Sequence, residues 1–592
     1  MKNAIVDYET YYDDKVSVVT LGTTNYVAAA DAYIVGVHID GVISQCGTLT
    51  EMGSTMEQIS KDPTVRCVAA NSNFDQAWSD KYGWSSPNSW FCVLDQAAFN
   101  QYPRNLAGCA GVVLGEKVDK TARDQMKGVR YESLPDGEQI KMQEYCLNDC
   151  AKENEVLLKM PAMSPFEEEV AEHTRLMNRR GVFIDTDLVE ADKTKLEALR
   201  FATFREIPWH ADAPPLSYPA LVRHCNSIGI PAPKTLSKVD EETTDLMDVH
   251  PALKEVVGAM RKFRKANTML KKVETLMRRV SPEGVLPLDI LYCGAPHTRR
   301  WSSKGFNVQN LDKEPMDVGN GDTVWSRHWL IPRPGHIFLI FDFAQIEPRC
   351  LNWLAGNEEM MAALRSGFSY YEAYLTAAKQ AARVGWSGTP GTLKKEVGVA
   401  KYTKVKNESL GCGFGMGDKK YTTYANVSPE EAKMVITGFR KGNPKIVQLW
   451  RRLDGLIRTA AHDKSKHLAM EMPSGDLLQY FSIRSNTKGY EGFVTRGDFG
   501  FSSKQGKLWG GTLTENVTQR MARDILANAL INIEKAGIPV VFHAHDEGIL
   551  EVPIDSKDEA KAEADRIALT PPDWAKDLPL GIESSFATAY TK

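Results

Sequence analysis

This sequence has no internal repeat, no low-complexity segment, no Cys-x-x-Cys pair and no apolar run approaching the length of a membrane span. It also lacks a large excess of either charge: 72 Lys and Arg stand against 76 Asp and Glu, a formal net charge of −4. A protein that merely coats nucleic acid is usually strongly basic, so the bulk charge argues against that role. The ten cysteines stand singly between Cys46 and Cys412. That pattern excludes a disulfide framework and a cysteine zinc site, and implies buried thiols in a reducing compartment. The opening MKNAIVDYET meets acidic residues at once, unlike a signal peptide. The expectation is a soluble, cytoplasmic, monomeric protein with no membrane partner. What is present is ordinary globular composition, 43% hydrophobic and 25% charged over 592 residues, roughly four units of domain size.

Residues 1–160 alternate short apolar runs (AIVDYET, YIVGVHI, VRCVAAN, FCVLD) with turn signals and helical stretches such as 138–158, so an α/β unit is expected. Pro161 to Pro165 reads as a boundary. A helix-rich stretch follows over 166–282. Its 254–279 section is strongly basic, with Lys271 and Lys272 among its cations and only Glu255 and Glu274 opposing them. Such a run is a solvated helix face or a surface that follows a phosphate backbone. From 337 the pattern becomes the strand IFLIFDF, then helices over most of 356–460 and 514–535, then the hairpin VVFHAHDEGILEV at 540–552.

Two groups of acids carry chemistry. Asp7 and Glu9 sit at i and i+2 of the first strand, so both carboxylates face one side and can share a metal. Asp75 follows another strand. Tyr145 and Asp149 are one turn apart if their segment is helical. Oxygen ligands of this number suit magnesium or manganese, and two such ions about 4 Å apart stabilise attacking and leaving oxygens in phosphodiester chemistry. Each fragment alone also fits surface acids at a strand end. In the second half, Asp342 ends a strongly apolar strand and Asp546 sits at the tip of the hairpin. Between them Lys406, Leu410 and Phe414 are spaced i, i+4, i+8, one stripe of a helix that could hold a phosphate at one end and a base at the other, or could simply be core.

The ordered fragments around Asp7 and Glu9, Asp75, and Tyr145 to Asp149 resemble the three motifs of the DEDD 3′–5′ exonuclease superfamily in its tyrosine-bearing form. Asp342-x-x-Gln345-x-Glu347-x-Arg349, the Lys406 to Gly415 segment and His545-Asp546-Glu547 resemble motifs A, B and C of family A DNA polymerases, of the bacteriophage type. Three further segments are similar to the same family: Thr298-Arg299-Arg300-Trp-Ser302-Ser303 with Asn307 to Asn310, Trp509 to Leu526, and Arg179 to Asp185. Together the matches run from residue 4 to about 552.

The resemblance implies a ribonuclease H-like α/β exonuclease domain over 1–160, then an α+β right hand over 161–592. Its thumb would be about 190–285, its palm about 286–356 and 515–592, and its fingers about 357–514. It implies a template-directed polymerase with proofreading, with two Mg2+ or Mn2+ per active site and primer-template DNA, dNTPs and other replication proteins as partners. Asp7, Glu9, Asp75 and Asp149 would be exonuclease metal ligands and Tyr145 would orient the attacking water. Asp342, Asp546 and the Phe343 carbonyl would hold the polymerase metals. Lys406 would contact the triphosphate, with Glu347 as steric gate and Gln345, Leu410 and Phe414 in the nucleotide pocket. Arg300, Gln519, His545, Glu547, Ser302, Ser303, Asn310, Arg349, Lys271 and Lys272 would contact DNA. Where the family carries an arginine four residues before the lysine, this chain has Tyr402, so triphosphate contact is expected to pass to Lys401 or Lys404. The altered pocket raises the expectation of a phage enzyme that handles 2-aminoadenine in place of adenine. The alternatives are a single-subunit RNA polymerase-like enzyme, against which Glu347 and the exonuclease acids speak, and a non-catalytic DNA-binding scaffold.

Overall fold

Five strands, β1 (Lys2–Thr10), β2 (Ala32–Ile39), β3 (Ile43–Thr48), β4 (Val65–Ala69) and β5 (Phe91–Cys92), form one sheet in the order β3-β2-β1-β4-β5 in the computed structural model, which describes residues 1–118, 121–237, 240–485, 493–496 and 505–591. β1 runs antiparallel to β2 and parallel to β4. It is the central strand, which is why its residues are buried on both faces rather than alternately. Helix α1 (Asp136–Lys159) crosses the face of β1 and β2. It comes so close at Gly36 that a Cβ there would lie 2.7 Å from the Cys146 sulfur.

Helix α2 (Pro165–Arg180) begins with Ser164 as its cap, the hydroxyl accepting from the Glu167 N–H. Beyond it α3 (Thr186–Arg205) packs along α4 (Pro251–Arg279). One face of α4 is apolar, with Leu253, Val257, Met260, Met269, Val273 and Leu276 buried, and Lys254, Lys262, Arg264, Lys265 and Lys271 stand exposed on the other. Arg279 departs from the expectation of a wholly solvated basic face: it turns inward to the Asp289 carboxylate and the Val19 carbonyl.

The carboxy-terminal sheet is built from β6 (His336–Phe343), β7 (Val540–Ala544), β8 (Glu547–Pro553) and β9 (Ile582–Ala587), antiparallel throughout, in the order β7-β8-β6-β9. Of the helices α5 (Leu393–Gly411), α6 (Pro444–His462) and α7 (Gly510–Lys535), α7 packs against β7 and α6 packs against α7. A second four-stranded sheet, Leu468–Glu471, Leu477–Ser485, Phe493–Arg496 and Gln505–Leu508, is inserted between α6 and α7, where the sequence reading placed no strands. All ten cysteines are free and all but Cys46 are buried. Among the described residues no helix is long and apolar enough to cross a membrane.

The two halves meet at a buried ionic network. Glu167 of α2 is 0% exposed and accepts from Arg520 at 2.6 Å and from Arg523 at 2.6 and 3.0 Å, both on α7, and from the Tyr292 hydroxyl at 2.5 Å. Asp524 and Asp476 complete the arginines' contacts. Burial alone would raise the Glu167 carboxyl's pKa, but the two guanidiniums hold it well below its usual range. Arg299 joins the network beside Asp476 and lies over the Phe99 ring of the amino-terminal module at 3.8 Å. Arg175 and Arg104 both bind Asp95 of that module, at 2.5 and 2.9 Å.

A buried ion network is unfavourable once one partner is removed, because a charge is then left uncompensated. Glu167→Ala should therefore lower the stability of the α2–α7 junction by about 3–5 kcal/mol, read as a shifted denaturant midpoint. A midpoint within error of the parent would show that the network carries no such weight.

Candidate functional site

The first cluster lies on the amino-terminal sheet. Asp7 and Glu9 point from β1 to one face, and α1 brings Asp149 over them. One carboxylate oxygen from each of the three lies within 4.8 Å of the others. Asp75, on the helix Ser72–Lys81, is 4% exposed and its Oδ1 accepts the Tyr8 N–H at 3.2 Å, which fixes it against β1. Asp75 stands outside the tight triad of oxygens, and burial together with the Asp7 charge pushes its pKa well above the usual carboxylate range. Burial and the Asp149 charge push the Asp7 carboxyl up to about 7, and burial with Asp7 pushes Glu9 well above its usual range. Arg123 is the cation that opposes both shifts. The Tyr145 hydroxyl bonds Asp149, one turn away, and its pKa is raised by burial and by that carboxylate. Desolvated carboxylates that raise one another's pKa, with hard oxygen donors at this spacing, fit a divalent cation of the magnesium class.

The second site is a cavity of about 650 Å³ at the end of the carboxy-terminal sheet. Asp342 is the penultimate residue of β6, and Asp546 follows β7 in the turn to β8. The Phe343 N–H donates to the Asp546 carbonyl at 3.2 Å, locking the turn to the strand end. Burial and the Asp342 charge raise the Asp546 carboxyl to about 6. Again the donor set fits hard divalent cations. Two residues that frame the acids, Gln345 and His545, have positive φ (50° and 57°) without being glycine, a strained backbone that the surrounding packing must enforce. Burial, with Arg300, Lys313 and Arg327 nearby, holds the His545 imidazole below its usual value.

Lys406 and Leu410, on α5, also line this cavity. Glu347 projects into the cavity from the first turn of the helix Ile346–Leu354. Its carboxylate lies 3.2 Å from Arg300 and bonds the Gln519 side chain. Burial raises its pKa and Arg300 opposes the rise. Gln345, Ser302, Ser303 and Asn310 also line the cavity.

Several expected site residues do not line this cavity. Arg349 is 6% exposed and donates to the carbonyls of Ala344 and Pro579, so it ties the residue after β6 to the segment before β9. Glu547 is buried against the Tyr590 hydroxyl at 2.9 Å, because position 547 begins β8 and faces the core. Phe414 is not on the Lys406–Leu410 stripe. α5 stops at Gly411, and Phe414 falls in the turn beyond it. Lys401 and Lys404 do not reach the cavity: a helix turns 100° per residue, which puts them about 140° and 160° from Lys406. Lys404 pairs with Glu431 at 2.8 Å and Lys401 reaches the Val384 carbonyl. Tyr402 shares the Lys406 face and packs edge-on against Tyr371, which does line the cavity. Lys271 is exposed on α4, and Lys272 lies 3.6 Å from Asp312.

Some cavity residues, Tyr371 among them, were not legible as site residues. Glu583 lies directly opposite Asp342 on β9, Lys313 follows the Asn310 loop, and His543 packs 4.2 Å from the Trp301 ring with its pKa lowered to about 3 by burial. In the first cluster the missed residue is Glu153, buried one turn beyond Asp149.

Residues 225–466 match the model of DNA polymerase family A. The chain is 27% identical to the DNA polymerase of Bacillus phage SP02, over 89% of both proteins. It is 24% identical to DNA polymerase I of Lactococcus lactis subsp. lactis over 54% of this chain, a match spanning 33% of that protein. It is 24% identical to the DNA polymerase of Mycobacterium phage D29 over 46% of this chain and 36% of that one. In fold it is similar to the POL domain of Pol1 from M. smegmatis, solved with DNA primer-template and dNTP, with TM-score 0.65 at 15% identity over 99% of this chain and 95% of that one.

The Asp546 turn depends on Gly548, where an added Cβ would lie 2.3 Å from the buried Phe341 ring. Gly548→Ala should therefore push β8 from β6 and cost about 1–3 kcal/mol, read as a lowered melting temperature. An unchanged melt would show that the strand pair has room to spare.

Proposed function

We propose that this chain, which carries a family A DNA polymerase domain, is a template-directed DNA polymerase of the phage replication type that also degrades DNA from the 3′ end. The observation that carries the reading is the presence of two separate carboxylate clusters, each desolvated and each of the donor type that holds divalent cations. The mixed five-stranded amino-terminal sheet, with β1 at its centre carrying Asp7 and Glu9, supports reading residues 1–160 as a ribonuclease H-like exonuclease. The right-hand reading assigns 161–592 to thumb, palm and fingers.

In the polymerase, Asp342, Asp546 and the Phe343 carbonyl would hold two divalent cations; in the exonuclease, Asp7, Glu9, Asp75 and Asp149 would do so. When bound, such cations lower the pKa of the attacking hydroxyl or water and neutralise the charge on the leaving oxygen. The chain's own residues do the rest. Lys406 presents a cation to a triphosphate in the cavity it shares with the acids and can donate a proton to the departing phosphate. Glu347 is held by Arg300 and Gln519 over the floor of the cavity, where a carboxylate fills the space a 2′-hydroxyl needs. Arg300 and Gln519 then face minor-groove acceptors, which all four base pairs share. The exposed cations of α4 offer a surface to the duplex backbone. With Lys401 and Lys404 turned away, we assign the triphosphate contact to Lys406, with Tyr371 and Tyr402 forming the wall beside it. In the exonuclease, the Tyr145 hydroxyl at Asp149 would orient the attacking water.

The reading is tested on the purified chain with magnesium, dNTPs and a primer-template. Asp342→Ala should reduce extension by at least about 10³-fold while 3′-end degradation persists, and Asp7→Ala should do the reverse. Loss of both activities in either variant, or of neither, would contradict two independent sites. In single-nucleotide insertion, Glu347→Ala should reduce discrimination against ribonucleotides by about 10- to 100-fold; unchanged discrimination would remove the gate assignment. Run opposite template T, the same assay decides the 2-aminoadenine reading, which equal use of dATP and 2-amino-dATP would sink.

A further inference from the structure

The amino-terminal acid cluster contains one carboxylate that the proposed exonuclease mechanism leaves without a task. Glu153 lies four residues beyond Asp149 on α1, so the two share a helix face. It is 2% exposed. It accepts the Ala70 N–H at the end of β4, and among the described residues no donor reaches its Oε2. The charges it feels are those of Asp7, Asp75 and Asp149. A buried carboxylate oxygen without a donor is unfavourable, and more so among other acids, unless something positive reaches it. A strut that only tied α1 to β4 would need the single oxygen that meets Ala70. A glutamine there would do the same work without repulsion.

We infer that Glu153 is a fifth carboxylate of the amino-terminal cation site, a positioning residue whose free oxygen holds the bound cation directly or through its water. The inference rests on the exonuclease reading of that site. With it the site gathers Asp7, Glu9, Asp75, Asp149 and Glu153, and among the described residues Arg123 is the cation that opposes the charges of Asp7 and Glu9. The added acid raises affinity for divalent cations, and the Ala70 bond holds it in place when the site is empty. Groups that act on a cation from behind its ligands typically change affinity by about 10- to 100-fold.

The test uses the full chain carrying D342N and D546N, which silence the palm acids, titrated with Mn2+ and followed by the electron paramagnetic resonance signal of free Mn2+. In this background E153Q should weaken Mn2+ binding by about 10-fold or more, and the melting temperature without cation should stay at or above the parent's, since a repulsive charge is gone. An unchanged Mn2+ affinity overturns the inference. So does a lowered melting temperature without cation, which would make Glu153 a strut. D7A in the same background separates the two levels. If D7A abolishes Mn2+ binding and E153Q leaves it unchanged, only the role of Glu153 fails. If D7A also leaves binding unchanged, the exonuclease reading fails and this inference with it.

Discussion

Carboxylates brought together out of water repel one another, and the fold spends much of its framework holding two such groups in place. At the amino-terminal site the constraint is met by a central strand that presents Asp7 and Glu9 on one face and a helix that lowers Asp149 onto them. At the carboxy-terminal site it is met by antiparallel strands whose ends carry Asp342 and Asp546, with the Phe343 N–H tied to the Asp546 carbonyl. Both arrangements set like charges close together, and the divalent cations proposed for them would relieve that repulsion. The raised pKa values of Asp7 and Asp546 are the electrostatic record of that demand.

The repulsion has to be resisted by packing elsewhere. α7 runs behind the carboxy-terminal sheet, and its Arg520 and Arg523 are neutralised by Glu167, Asp476 and Asp524. That network ties α2, the first helix after the amino-terminal module, to the helix that packs behind the carboxy-terminal sheet. Arg299, Arg175 and Arg104 extend the connection to Phe99 and Asp95. Arg299 and Arg175 each meet a partner in the amino-terminal module, and Arg104 of that module, paired with its own Asp95, reaches back to the Tyr292 carbonyl, so buried charge contributes to the seam between the halves.

Much of this was legible in the sequence where chemistry and periodicity coincide. An apolar run ending in Asp342 reads as a buried strand delivering an acid, and β6 spans His336–Phe343. Asp7 and Glu9 share a face because strand geometry allows nothing else. The readings that missed depend on tertiary approach. Glu153 sits in Ala151-Lys-Glu153-Asn-Glu155, which reads as a solvated helix, and it is buried only because α1 meets the end of β4. Arg349 belongs to a motif that points toward nucleic acid, yet the carbonyls of Ala344 and Pro579 capture its guanidinium. The Lys406–Leu410–Phe414 stripe assumed a helix that ends at Gly411, three residues too soon. The strands between α6 and α7 carry no strong alternation and were not separable from their helical surroundings.

The central claim is that the chain holds divalent cations at two separate carboxylate sites. Crystals soaked in Mn2+ and measured for anomalous scattering test it most directly. The account predicts peaks among Asp7, Glu9, Asp75 and Asp149, and separately between Asp342 and Asp546. Occupied peaks only at other positions, or none at either cluster under saturating Mn2+, would contradict it.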